Sequence, residues 1–286
     1  YISISKWGPY NDNFKDTFQY QTALYSSLLI NDASNKWLLE LGGRNNKHNR
    51  YGSNQTFTIS PSYKLNANIR FMASASTGYK APSLYQLSYN EKLKPEESFN
   101  TEIGMEYKTN PLFIRAVYYN RTIENGIDYN YIDYNFFNYI QQKVNGLELE
   151  FNWKANEKNN FSANYTLMNG QETNQNRVTT KDTITYNYLL KRPKNTAGIQ
   201  WTYEVSPKLN FSMAVRYISK RYDVGGYAAA DVSLKSYTLL NAHIQYKLNK
   251  HLLLYADGQN LANAVFQEIN GYNTMGRMLM IGLRLK

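Results

Sequence analysis

The sequence predicts an all-β chain that forms a transmembrane antiparallel β-barrel. Three observations carry that prediction. Apolar residues recur at every second position in run after run, and short polar turns alternate with long connections along the chain. No run of about 18 apolar residues exists, so a helical membrane span is excluded. Aromatics make up 15% of 286 residues, with 27 Tyr, 12 Phe and 4 Trp. Disordered chains are poor in aromatics, so that class is excluded as well. The low mean hydropathy does not oppose a barrel, because lipid-facing and lumen-facing residues alternate and average out in any window.

The chain opens on an alternating stretch, YISISKWG at 1–8, and shows no signal peptide there. Further strands are expected to start near Thr17, Lys36, Ser53, Asn68, Phe99, Leu112, Phe137, Phe161, Asn187, Leu209, Ser236, His251 and Arg277. In the run at 147–153, Leu147, Leu149, Phe151 and Trp153 share one face, opposite Glu148, Glu150 and Asn152. Phe161, Ala163, Tyr165 and Leu167 oppose Ser162, Asn164 and Thr166. Ala197, Ile199, Trp201 and Tyr203 oppose Gly198, Gln200 and Thr202, and Leu209, Phe211, Met213, Val215 and Tyr217 oppose Asn210, Ser212 and Arg216. Leu240, Ala242, Ile244, Tyr246 and Leu248 oppose Asn241, His243, Gln245 and Lys247.

A sandwich sheet packed on a core shows the same alternation, so the connections decide. Short turns occur at 31–36, 64–68, 108–111, 154–160, 205–208 and 248–250. Long connections lie at 45–54, 78–98, 130–137, 169–188, 222–235 and 264–277. Sorting by length at two ends is the habit of outer-membrane barrels, with short periplasmic turns and long extracellular loops. Tyr63, Tyr107, Trp153, Tyr203 and Tyr246 sit on the apolar face beside short turns and mark one membrane interface.

Cysteine is absent, which removes disulfides, thiolate metal sites and Cys nucleophiles. The net charge of +10, from 32 basic and 22 acidic residues, is read as lumen, turn and loop charge, with no nucleic-acid partner. Glu102, Glu106, Glu148 and Glu150 fall on lumen faces, where they are expected to pair with Arg115 and Arg216 rather than do acid–base chemistry. His48, His243 and His251 show no ligand spacing. No catalytic residue, metal site or cofactor is expected.

Bacterial single-chain barrels have even strand numbers. A count of about thirteen strands beginning within a strand therefore reads as the C-terminal portion, residues 1–286, of one larger barrel domain. Leu279, Ile281, Leu283 and Leu285 face lipid, and the next position on that face, one past Lys286, is expected to be Phe.

Five segments then resemble the C-terminal barrel of TonB-dependent outer-membrane transporters: STGYKAPSLYQLSY at 76–89, LKPEESFNTEIGMEY at 93–107, VNGLELEF at 144–151, DGQNLAN at 257–263 and GYNTMGRMLMIGLRL at 271–285. They follow the family order and cover roughly 37–286. Within the family, ENGIDYN at 124–130, YLLKRPKN at 188–195, GYNTMGR at 271–277 and the short loops resemble cobalamin receptors. Met275 stands where small residues are usual, and 1–32 matches poorly. The resemblance implies the last thirteen or so strands of a barrel of about 22 with a plugged lumen. The N-terminal plug, the TonB-binding box and the first strands then lie outside this chain.

The function implied is an active-transport receptor that captures a large scarce nutrient at its extracellular face and imports it into the periplasm with TonB-derived energy. Cobalamin or another corrinoid is the favoured ligand. A haem or siderophore receptor is the alternative, and a passive porin or surface adhesin the competitor from another class. Expected partners are the ligand, TonB, the receptor's own plug, outer-membrane lipid and a surface lipoprotein over the loops.

Tyrosine offers a rigid face with a polar tip, suited to a large amphipathic ligand. The candidate ligand-binding residues are Tyr85, Gln86, Tyr89 and Asn90 in one loop and Tyr134 in the next. Tyr186, Tyr188, Lys191 and Arg192 form a third group, Tyr222 and Tyr227 a fourth, and Asn270 and Tyr272 the last. Lys191 and Arg192 are placed to meet an amide or phosphate group.

Overall fold

The structure, a computed structural model, describes residues 2–5, 17–227 and 229–285. The elements are, in order, β1 (Ile2–Ser5), β2 (Thr17–Asn31), β3 (Trp37–His48), β4 (Gly52–Lys64), β5 (Ile69–Lys80), α1 (Leu84–Tyr89), β6 (Glu96–Lys108) and β7 (Leu112–Glu124). There follow β8 (Ile127–Asn130), β9 (Asn135–Asn138), β10 (Gln141–Lys154), β11 (Asn159–Gln175), β12 (Thr183–Tyr186) and β13 (Asn195–Ser206). The last are β14 (Leu209–Ile218), β15 (Arg221–Asp223), β16 (Val232–Leu234), β17 (Tyr237–Lys247), β18 (Leu252–Gln259) and β19 (Met278–Leu285).

One antiparallel path runs β1-β2-β3-β4-β5-β6-β7-β10-β11-β13-β14-β17-β18-β19, with β12 added to β11. Each wall strand pairs with the next in sequence. The hairpins β8–β9 and β15–β16 form two separate small sheets, and they, α1 and β12 all sit in the long connections.

The register bears out the facing. Leu147, Leu149, Phe151 and Trp153 stand opposite Leu167, Tyr165, Ala163 and Phe161. Phe161, Ala163 and Tyr165 then meet Trp201, Ile199 and Ala197, and Tyr203, Trp201 and Ile199 meet Phe211, Met213 and Val215. Direct cross-strand partners share a face, so one apolar surface runs unbroken across β10–β17. A slip of one residue would turn the whole set into the lumen. On the other face Arg115 Nη1 reaches Glu150 at 3.8 Å and His243 Nδ1 meets Asp257 at 2.6 Å. Arg216 has no ion pair among the described residues.

Near the short turns, aromatic rings form a belt. Trp37 and Tyr63 are 4.3 Å apart, and the row Trp153, Phe161, Trp201 and Tyr203 has centroid spacings of 5.6, 6.2 and 5.6 Å. Asparagine and aspartate close these turns. Asp32 Oδ1 accepts from Trp37 N at 2.8 Å, Asn66 Oδ1 from Ile69 N at 2.9 Å, Asn156 Oδ1 from Asn159 N at 3.0 Å and Asn249 Oδ1 from Leu252 N at 3.0 Å. Such side chains mimic a backbone turn, which accounts for part of the Asn surplus.

Three expectations fail locally. The connection expected from 169 begins only at 176, because β11 runs to Gln175. The connection expected at 45–54 is only 49–51, because β3 runs to His48 and β4 restarts at Gly52. The strand expected from Asn187 begins at Asn195. Before it, Lys191 has φ 61, Leu190 bridges to Tyr222, and Pro193 has no N–H to donate.

Candidate functional site

The segment IDYNYIDYNFFN at 127–138 alternates within a connection and folds on itself. Tyr129 pairs with Phe136 and Ile127 with Asn138. Asn130 Oδ1 accepts from Ile132 N at 2.8 Å, and Tyr134 takes the left-handed φ of 50 that the turn requires. Helix α1 packs beside this hairpin. Ser83 and Gln86 form a capping box: Ser83 Oγ accepts from Gln86 N at 3.2 Å and Gln86 Oε1 from Ser83 N at 2.9 Å. At the other end Asn90 Nδ2 donates to Phe136 O at 2.8 Å. Tyr85, Tyr89, Tyr129 and Phe136 meet edge to face, with centroids 4.9–6.2 Å apart, the favoured geometry for aromatic quadrupoles.

Behind the hairpin lies a charged latch. Arg177 Nη2 donates to Glu172 and Nη1 to Asp231, both at 2.6 Å. The guanidinium also sits 3.9 Å from the Tyr186 ring. Glu172 accepts in addition from Gln142 Nε2 and Asn174 Nδ2, both at 2.8 Å, and Asp231 from the Tyr188 hydroxyl at 2.8 Å. All three charged side chains are largely buried, 14% exposed for Arg177, 8% for Glu172 and 3% for Asp231. Burial, and then the bond to Asp231, push the Tyr188 phenol up, so it remains a donor. Tyr188 stacks on Tyr222 at 3.9 Å. One salt-bridge cluster therefore ties together β10, β11, the β11–β12 turn, the connection before β13 and the end of the β15–β16 hairpin.

Hairpin and latch enclose a cleft of about 540 Å³. Its walls carry Tyr129, Tyr131, Tyr134 and Tyr227, with Lys191 and Arg192 on one side. Six charged side chains line it: Asp128, Glu172 and Asp231 against Arg177, Lys191 and Arg192. Lys191 Nζ lies 3.7 Å from Asp223, whereas Arg192 has no ion pair among the described residues.

Burial is the largest influence on Asp128 and pushes its carboxyl up, with Glu172 adding to the rise. A raised carboxyl stabilises the fold below the ordinary value of about 3.9, and that contribution is lost as pH rises through the folded value. Asp128→Asn is therefore expected to strengthen the β8–β9 hairpin at neutral pH and to change little in acid. Hydrogen exchange of these amides at the two pH values checks this.

The family model for TonB dependent receptor-like β-barrels matches residues 1–261. This chain belongs to the TonB-dependent receptor β-barrel family. It is an integral part of the outer membrane, and the family is one of receptors and not enzymes.

Solved structures of similar fold include the ferric enterobactin receptor of Pseudomonas aeruginosa in complex with BCV-L6. It has 20% identity and a TM-score of 0.77 over 96% of this chain and 46% of that chain. The siderophore receptor PirA of Acinetobacter baumannii has 15% identity and a TM-score of 0.75 over 94% and 46%. The ferric-catecholate import receptor Fiu of E. coli K12 has 14% identity and a TM-score of 0.74 over 94% and 45%. Likeness at these identities is likeness of fold, and the chain spans less than half the length of each receptor.

On this receptor wall, the structure gathers Tyr134, Lys191, Arg192 and Tyr227 from three connections into one cleft. Tyr186, Tyr188 and Tyr222 stand behind it in the latch. Tyr85 and Tyr89 belong to the neighbouring ring cluster, while Gln86 and Asn90 hold α1 in place. Asn270 is engaged by Asp223, its N–H donating at 2.8 Å. Tyr272 is 68% exposed and outside the cleft wall. Sequence reasoning missed Asp128, Tyr129, Tyr131, Glu172, Arg177 and Asp231. Alternation at 127–138 was a readable hairpin signal, whereas the latch joins residues 54 apart and leaves no local trace.

Proposed function

We propose that this chain is the C-terminal portion of an active-transport receptor whose extracellular cleft holds a large amphipathic nutrient, imported with TonB-derived energy. A plug and further strands supplied from outside residues 1–286 complete the receptor. The observation that carries the reading is the cleft itself: tyrosine faces for contact area and a few polar groups for orientation, at the end of the wall where the long connections gather.

A corrinoid is the first choice of ligand. Three acidic and three basic side chains line the cleft, a balance suited to a bulky ligand rich in amides and low in net charge. Two of the segments that resemble cobalamin receptors, 124–130 and 188–195, supply much of that lining. A ferric siderophore is the second reading, favoured by the names of the structural neighbours and by Arg192, which has no ion pair among the described residues. Binding of cyanocobalamin, ferric enterobactin and haem to the complete receptor separates them. The corrinoid is expected to bind tightest; binding of only haem or only the siderophore would reject it. Arg192→Ala is expected to weaken binding about tenfold, the loss of one hydrogen bond to a charged donor, with normal membrane insertion. Unchanged affinity would assign Arg192 to structure.

A further inference from the structure

The lipid-facing side of the wall turns polar before its strands end. Tyr118 of β7 stands opposite Ile103 of β6 and Leu147 of β10, and Leu147 opposite Leu167 of β11. This is the last apolar row on these four strands. The next row on the same face, toward the long connections, is Thr101, Asn120, Asn145 and Asn169. Above it lie Phe99, Thr122, Lys143 and Gln171. Carboxylates enter only in the row after that, where Glu97 faces Glu124 and Glu124 accepts from Gln141 Nε2 at 3.5 Å.

Most of the hydrogen-bonding capacity in these two polar rows is unspent. Asn169 Nδ2 donates to Asn145 Oδ1 at 3.3 Å, and Gln171 Nε2 to Asn187 Oδ1 at 2.7 Å. The side chains of Asn120, Thr122 and Lys143 have no hydrogen bond or ion pair among the described residues. Each amide carries two donors and an oxygen with two lone pairs, and Asn120, Asn169 and Gln171 are exposed. Tyr118 and Phe99, 48% and 47% exposed, set aromatic rings beside the amides, at the depth where such rings mark the membrane interface. The ladder continues the lipid-facing stripe without a break, at the end of the wall where the extracellular connections gather. The layer that meets it is therefore the headgroup layer of the outer leaflet. Amides and hydroxyls donate and accept alike, as sugar hydroxyls do. A phosphate only accepts and is best met by cations, and Lys143 is the single cation in the two rows.

We propose that this amide ladder docks the sugar headgroup of an outer-leaflet glycolipid, whose acyl chains run down the apolar stripe below it. Thermal melting of the complete receptor in detergent, with lipopolysaccharide or phosphatidylglycerol added at constant ionic strength, tests this. Lipopolysaccharide is expected to raise the Tm of wild type by several degrees and phosphatidylglycerol to raise it much less. The triple variant Asn120→Leu, Asn145→Leu, Asn169→Leu extends the apolar stripe and is expected to melt as wild type without lipid and to lose most of the lipopolysaccharide shift. Should that variant fail to insert, Asn169→Ala alone is expected to bind lipopolysaccharide about fivefold more weakly, the loss of one hydrogen bond. Lys143→Gln is expected to keep most of the shift. The proposal is overturned if phosphatidylglycerol matches lipopolysaccharide, if the amide variants keep the full shift, or if Lys143→Gln loses as much as the triple variant. It is equally overturned if wild type dimerises through the ladder without lipid and the amide variants do not, since a second copy would then be the occupant.

Discussion

Replacing Arg177 by Met is expected to loosen the β8–β9 and β15–β16 hairpins and lower ligand affinity more than any other single change in the cleft. The substitution keeps much of the aliphatic stem and removes the one cation that two buried carboxylates share, Glu172 and Asp231, each at 2.6 Å. Removing one partner of a buried pair costs about 3–5 kcal/mol, because the remaining charge stays desolvated. Two carboxylates are stranded here, and Glu172 keeps only its amide donors from Gln142 and Asn174. The cost falls on the hairpins and not on the wall, whose ladders do not involve Arg177. Limited proteolysis is expected to cut within 127–139 and 176–190 faster in the variant, while the barrel keeps its resistance to unfolding in detergent. Arg177→Lys can satisfy one carboxylate at a time and is expected to fall between. A variant with wild-type proteolysis and affinity would remove the latch from the account.

Gly146→Val is expected to block assembly of the wall itself. Gly146 lies on the lumen face of β10, where Tyr119 of β7 is its direct partner. A Cβ at this position would meet Leu167 O at 2.3 Å and the Tyr119 ring at 2.5 Å. The first contact is backbone, so no rotamer relieves it, and the β10–β11 ladder would have to part. Gly282 under Tyr255 repeats the arrangement: a ring laid over a glycine fills the space a side chain would occupy and pins the register. Gly43 is the internal control, since nothing lies within 4 Å of a Cβ built there. Heat-modifiable migration on gels reads folded barrel directly. Gly43→Val is expected to migrate as wild type and Gly146→Val to be depleted in the folded band.

The wall was legible because every one of its strands separates lipid from lumen. Residues 147–153 and 197–203 carry that contrast at each position, and their register follows from it. The rim was harder to read. The polar stretch 45–54 has the composition of a loop, yet its ladder continues where both faces are wet and alternation carries no signal. At 187–194 apolar residues alternate, and a bridge to Tyr222 together with Pro193 holds the segment out of the sheet. The cleft was half visible. Tyr134, Lys191, Arg192 and Tyr227 stand out as residue types, but Asp128, Glu172 and Arg177 acquire meaning only when distant connections fold against each other.

The active-transport reading meets its most direct test in uptake of labelled cyanocobalamin by cells carrying the complete receptor, with and without TonB. Accumulation in the periplasm is expected, lost when TonB is absent and reduced by Arg177→Met. Equal uptake in both strains would contradict it and make the barrel a passive pore.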